Sequence, residues 1–295
     1  MLMLKNGKQH MAMGKGTSIM AGFSETPLTA HAASFDYTPL VYGFVAGITV
    51  LFGLLFMLWA RSKLSGNAVG LLQAVAGGVL AYLALETGHA AAEYVEELAK
   101  PETLGQFLVA SFVTTAALAL TYMALAKAER AVHAARGSTS LTVALIVALA
   151  FGVHNVAEGF AIAAALLEGA VALAVLFTVG FAVHNFTEGF GIAGPLLADK
   201  RAAVPLTQAV GLSLLAGLPV IPGAAIYYAG IESGLFLATL NTVATASIVY
   251  AMLHVNLNAL AKLGGVASAK FWLGITLGVV IAFSTESLII FAAAH

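Results

Sequence analysis

The sequence predicts an all-α polytopic membrane protein with eight transmembrane helices. Composition is the first reason. Of 295 residues, 60% are hydrophobic and only 9% charged, against about 25% charged in a soluble domain. So few charges would not cover a surface in water. Mean hydropathy, at +0.95, agrees. The apolar residues also fall in repeated blocks of about 20 or more, the length a helix needs to cross about 30 Å of hydrocarbon.

Apolar runs between polar interruptions place the crossings. The first, 38–60, ends at "RSKLSGN", and the second, 67–88, runs into "HAAAEYVEELAKPET". The third, 104–127, stops at "AERAVHAARGS". The fourth, 140–167, and the fifth, 170–197, are parted only by "EGA". "DKRAAV" introduces the sixth, 204–229, "AGIES" the seventh, 234–262, and "KLGGVASAK" the eighth, 269–293. Residues 1–37 are polar and methionine-rich, with Lys5, Lys8 and Lys15. They lack an unbroken apolar core and a cleavage pattern, so a mobile tail is expected there, and an eight-helix transmembrane domain over 38–295.

The charges of the connections alternate. Arg61 and Lys63, then Lys127, Arg130 and Arg136, then Lys200 and Arg201, then Lys262 and Lys270 fall on one side. Glu86, Glu93, Glu96, Glu97, Glu102, Glu168 and Glu232 fall on the other, with Lys100 the sole loop cation there. Lysine and arginine mark the cytoplasmic side, which sends both termini outward in a plasma (cell inner) membrane. A net charge of −1 settles nothing about partners. With no cysteine, disulfides and thiolate metal sites are excluded, and any metal must take nitrogen and oxygen ligands. "GKGTS" at 14–18 is no phosphate loop, because Gln9 stands where its first glycine belongs. With no nucleotide motif elsewhere, a pump driven by ATP hydrolysis is disfavoured.

The fourth and fifth crossings carry the chemistry. "VHNVAEGFAIAAAL" (153–166) and "VHNFTEGFGIAGPL" (183–196) agree at nine of fourteen positions. An ionisable group near mid-bilayer costs roughly 2.5–3.5 kcal/mol on insertion scales, and persists where a partner or a wet cavity offsets that cost. His154 and Glu158 are four apart, as are His184 and Glu188, so each pair shares a helix face. Asn155 and Asn185 lie about 100° round that face, three residues before the same glutamates. A short connection forces the helices to be antiparallel neighbours, so two imidazoles and two carboxylates are expected to converge. That N₂O₂ set suits Zn²⁺ and admits Fe²⁺, Mn²⁺, Co²⁺ or Cd²⁺. Gly159 and Gly189 would admit a neighbouring backbone, and Pro195 would free a carbonyl near the pathway. Two other readings stand beside this one. Each His–Glu pair could be an internal hydrogen bond, or the histidines could ligate haem, which leaves the glutamates and asparagines unexplained.

"HNVAEG" and "HNFTEG" on adjacent helices resemble the signature of the ZIP (Zrt/Irt-like) metal transporters, and the resemblance spans 38–295. It implies a 3+2+3 arrangement, three helices on each side of the fourth and fifth, related by pseudo-symmetry. It implies passage of divalent transition metals, Zn²⁺ foremost, toward the cytoplasm by alternating access at a midplane site. His154, Glu158, His184 and Glu188 would be ligands of the primary site, and Asn155 and Asn185 would help form an adjacent one. Many members place a glutamate before a proline on the sixth helix. Here Leu218 precedes Pro219, which argues for a single site. The connection after the third helix contains His133 but no histidine-rich run.

Other polar positions carry paired readings. His254, in "HVNLN", packs in the seventh crossing or hands metal onward, and Glu286 in the eighth could line a cavity. Glu86 and His89, followed by Glu93, Glu96 and Glu97, form an entrance cluster or an ordinary solvated helix end. Gln73, Ser111 and Thr114 are expected to bond between helices. The chain is therefore expected to be a transporter and no enzyme, without a prosthetic group. Its partners would be a divalent cation and the lipid bilayer, not nucleic acid. A homodimer follows from the resemblance alone. The rival reading is an intramembrane zinc-dependent hydrolase, disfavoured by the lack of HExxH and of a nucleophile motif. A metal receptor without flux is the third.

Overall fold

The computed structural model describes residues 36–137, 139–197, 204–231 and 233–293. The expected tail with Lys5, Lys8 and Lys15, along with Lys200, Arg201 and Glu232 of the charge pattern, lies outside the described residues. The described residues are 89% helical, and among them eight helical stretches are long and apolar enough to cross a membrane. In chain order the helices are α1 (Thr38–Ala60), α2 (Gly66–Glu97), α3 (Leu104–Arg136), α4 (Ser140–Leu167) and α5 (Val171–Leu196), then α6 (Leu206–Gly217), α7 (Val220–Ala224), α8 (Gly234–Leu263) and α9 (Ala269–Ala293).

The sixth crossing is broken. It consists of α6, the short α7 and a 3-10 turn, Ala225–Ala229. Pro219 and Pro222 explain the interruption: neither has an amide hydrogen to bond back along the helix. Two helices outrun their expected ends. The helix α2 continues to Glu97 and α3 to Arg136, because "HAAAEYVEE" and "AERAVHAAR" are polar yet contain no glycine or proline. Helix ends are set by caps rather than by hydropathy. Ser65 starts α2 by accepting from the Ala68 amide at 3.1 Å, and Thr139 starts α4 by accepting from that of Thr142 at 3.2 Å.

Helix direction follows from contacts between small residues. Gly70 near the start of α2 lies against Lys262 and Leu263 at the end of α8, and Tyr94 lies against Gly234, so this pair is antiparallel. The helix α9 runs parallel to α2, with Gly274 on Ala74 and Gly278 on Val79. The helices α1 and α5 are parallel, with Gly53 against Gly189 and the Phe186 carbonyl. These contacts enclose α4, α5 and the inner faces of α1 and α8, while α3 and α9 turn most of their surface outward.

Gly159 and Gly189 do admit neighbouring backbones. A methyl built on Gly159 would fall 2.0 Å from the Val220 carbonyl oxygen, and one on Gly189 2.4 Å from the Leu54 nitrogen. Neither obstacle is a flexible side chain, so Gly159→Ala and Gly189→Ala should each destabilise the fold by about 1–3 kcal/mol. Gly105 meets nothing within 4 Å, and Gly105→Ala should be neutral. Thermal unfolding of the purified protein in detergent checks the contrast.

Candidate functional site

The turn between α4 and α5 sets the site's register. Gly169, at φ +72°, caps α4 in the left-handed conformation. Its amide donates to Leu166 O at 3.0 Å, and that of Ala170 to Ala165 O at 2.8 Å, the paired bonds of a Schellman ending. So tight a reversal makes α4 and α5 antiparallel neighbours, with His154 and His184 near the middle of each.

All six polar residues of the repeat are buried, none more than 5% exposed. The interface is crossed by amides rather than imidazoles. Asn155 Nδ2 donates to Glu188 Oε2 at 3.1 Å, and Asn185 Nδ2 donates to Glu158 Oε2 at 3.0 Å. Each asparagine therefore serves the glutamate of the other helix. The same two Nδ2 groups reach a third and a fourth helix. Asn155 donates to the Ala216 carbonyl of α6 at 2.9 Å, and Asn185 to the Ala46 carbonyl of α1 at 3.2 Å. Adjoining those alanines, Gly47 and Gly217 press backbone on backbone, since a methyl on either would fall 2.2 or 2.0 Å from the other's carbonyl oxygen.

The histidines differ from each other. His154 Nε2 lies 3.2 Å from Glu158 Oε1 on its own helix, the internal pairing anticipated as one reading. Neither ring nitrogen of His184 has a partner, and Glu188 Oε1 is also unpaired. Asn155 Oδ1, Asn185 Oδ1 and His154 Nδ1 are the other buried orphans among the six residues. Each asparagine and glutamate orphan is an oxygen lone pair. As the side chains stand, no three His, Asp or Glu residues among those described are gathered closely enough to hold one metal ion. The expected four-ligand convergence is thus a set of neighbours joined through the asparagines.

Other expected positions have local partners. Ser111 and Thr114 donate within α3, to Phe107 O and Ala110 O, both at 2.8 Å, and do not bond between helices as expected. Gln73 has no hydrogen-bond partner at all. The Glu286 carboxylate accepts from the Tyr82 hydroxyl, joining α9 to α2. Leu218 is half-buried at the break that ends α6. His254 lies away from the six-residue site: its Nδ1 donates to Tyr250 O at 3.0 Å and its Nε2 is 3.1 Å from Glu129 Oε1. Glu129, which also accepts from the Tyr250 hydroxyl and lies 3.6 Å from His133, escaped the sequence reading. It sits in a stretch taken for a connection, although its four-residue spacing from His133 was there to see. The Ala46 and Ala216 carbonyls were missed too, as backbone acceptors are silent in sequence.

Compared with models of known protein families, the chain matches none, and no curated protein matches it in sequence.

Losing one amide would leave a buried carboxylate oxygen and a backbone carbonyl without their donor. Asn155→Leu and Asn185→Leu should therefore each cost about 1–3 kcal/mol. The two losses should be similar, because the bonds are reciprocal. Thermal unfolding of both variants beside the parent chain measures this.

Proposed function

We propose that the chain is a membrane transporter that moves divalent transition-metal ions, Zn²⁺ foremost, toward the cytoplasm. One observation carries the reading. At mid-depth, between two helices that carry the doubled motif, the buried orphan atoms are the carboxylate and amide oxygens of Glu188, Asn155 and Asn185, both ring nitrogens of His184 and Nδ1 of His154. Such a set favours a cation, since its oxygens only accept and each imidazole has a lone pair to give. Imidazole with carboxylate is the ligand chemistry of zinc and its first-row neighbours.

The cation is substrate, gripped by His154, Glu158, His184 and Glu188 after small side-chain rotations. Asn155 and Asn185 hold the carboxylates in place from across the interface. A single ion fits this chain better than two, since both asparagine NH₂ groups already donate to glutamates and Leu218 brings no ligand. The twin motifs resemble those of the ZIP transporters, and the 3+2+3 arrangement belongs to this reading. The reciprocal contacts of α1 with α5 and of α7 with α4 support it. The lysine- and arginine-rich ends face the cytoplasm by the charge rule, so both termini lie outside the plasma membrane. Alternating access then moves the ion past the site from one aqueous side to the other.

Zinc uptake into vesicles containing the purified chain tests this. His184→Ala and Glu188→Ala should each lower the initial rate at least tenfold, while Gly105→Ala, in open space, should not. Uptake in both variants equal to that of the parent chain would refute the proposal.

A further inference from the structure

Among the described residues, Gln73 is the largest polar side chain that has no exposed surface and is bonded to nothing. It is 0% exposed, and both its Nε2 and its Oε1 lack partners. Its amide lies flat against α5: a methyl on Gly194 would fall 1.6 Å from Nε2 and 2.1 Å from Cδ. One helical turn along α2, Gly77 holds a second orphan in the same way. Asn256 Oδ1 of α8 lies where a methyl on Gly77 would pass within 1.9 Å, and it too has no partner.

A third acceptor adjoins them. Pro195 has no amide hydrogen, so the Gly191 carbonyl loses its helical partner, and Gly191 packs on Val255 beside Asn256. From Glu188, six residues of α5 lead to Gly194, about 9 Å along the axis toward the Lys/Arg-rich end. Gln73 and Asn256 each stand seven residues from that end of their own helices, after Gly66 and before Leu263. The three groups thus fall within about one helical turn of depth on three helices, between the mid-depth site and the basic face.

We propose that Gln73, Asn256 and the Gly191 carbonyl form an inner station where the cation leaving the mid-depth site is taken up by neutral oxygen ligands, still carrying part of its water. This rests on the transport reading above. The orphaned amides mark the station in its shut form. Packed on Gly194 and Gly77, the Gln73 amide and the Asn256 Oδ1 are dry, and a buried polar group without partners is costly. Moving α5 off α2 opens the space and satisfies them with water and ion together. The amide of Gln73 is therefore both a ligand and the plug of the inner half of the path.

The chain has no cysteine, so single-cysteine variants of the full chain in vesicles report without background. Gln73→Cys and Asn256→Cys should react with a membrane-impermeant cationic thiol reagent, supplied at the Lys/Arg-rich face, at least tenfold faster than Ala76→Cys, which is as fully buried as Gln73 but in an apolar cluster. Gln73→Leu should lower zinc uptake at least tenfold while zinc affinity of the purified chain stays within threefold. Gln73→Glu, which keeps an oxygen ligand, should retain more uptake than Gln73→Leu. Labelling of both cysteines no faster than that of Ala76→Cys overturns the station whatever the chain transports. Uptake by Gln73→Leu within twofold of the parent chain overturns it as well. Fast labelling of the two cysteine variants, with no metal uptake by the parent chain, overturns the transport reading, and with it the station's cargo.

Discussion

The crossed asparagine–glutamate bonds are the constraint from which the interior follows. A carboxylate inside a greasy bundle needs donors, and a helix cannot supply them from its own saturated backbone. Here each glutamate takes its donor from the neighbouring helix, through Asn155 to Glu188 and Asn185 to Glu158. The bonds fix the relative sliding of α4 and α5, since a shift of one residue would part both at once. They also fix the outer neighbours, because the same amides hold Ala216 of α6 and Ala46 of α1. Four helices therefore converge on two side chains. That convergence explains the glycines around it: α1 and α6 reach the amides only if their backbones touch at Gly47 and Gly217.

The arrangement is nearly its own mirror in chain order. "VAGI" at 45–48 and "LAGL" at 215–218 do the same task on α1 and α6, accepting an amide and pressing glycine to glycine. Gly53 meets Phe186 O and Gly189, as Gly223 meets Val156 O and Gly159. The correspondence is one of backbone contacts, so it survives wide differences in side chain. Close backbone approach is also what makes the bundle tight without a hydrophobic driving force between helices in lipid.

Most of the fold was legible because spanning a membrane demands long apolar runs. The limits read for the first, fourth and eighth crossings coincide with α1, α4 and α9. The excess length of α2 and α3 was not legible, since polarity ends a hydrophobic run without ending a helix. At the site, the six residues were readable from the doubled motif, but not who bonds whom. Spacing of four puts His154 on Glu158 within a helix. Which group reaches across depends on the rotation of α4 against α5, and a single sequence leaves that rotation free. Gln73 illustrates the same limit: its burial follows from the apolar run around it, while its lack of a partner depends on where α5 and α8 happen to lie.

The repeat in sequence does not produce a symmetric centre, and the asymmetry has a direction. Both oxygens of Glu158 are engaged, one by Asn185 and one by His154. Glu188 has only Asn155, and His184 stands without a bond. The α5 half is therefore open and the α4 half closed on itself. On the proposed transport reading, a cation entering the centre would meet His184 and Glu188 first, at no loss of existing bonds. To gain the α4 ligands it would have to displace His154 from Glu158, exchanging a hydrogen bond for two metal bonds. Capture would then proceed in two steps, with the first grip made by one helix and completed by the other. On that reading the doubled motif would supply the ligands, and the unequal pairing of its two copies would set the order in which they are recruited.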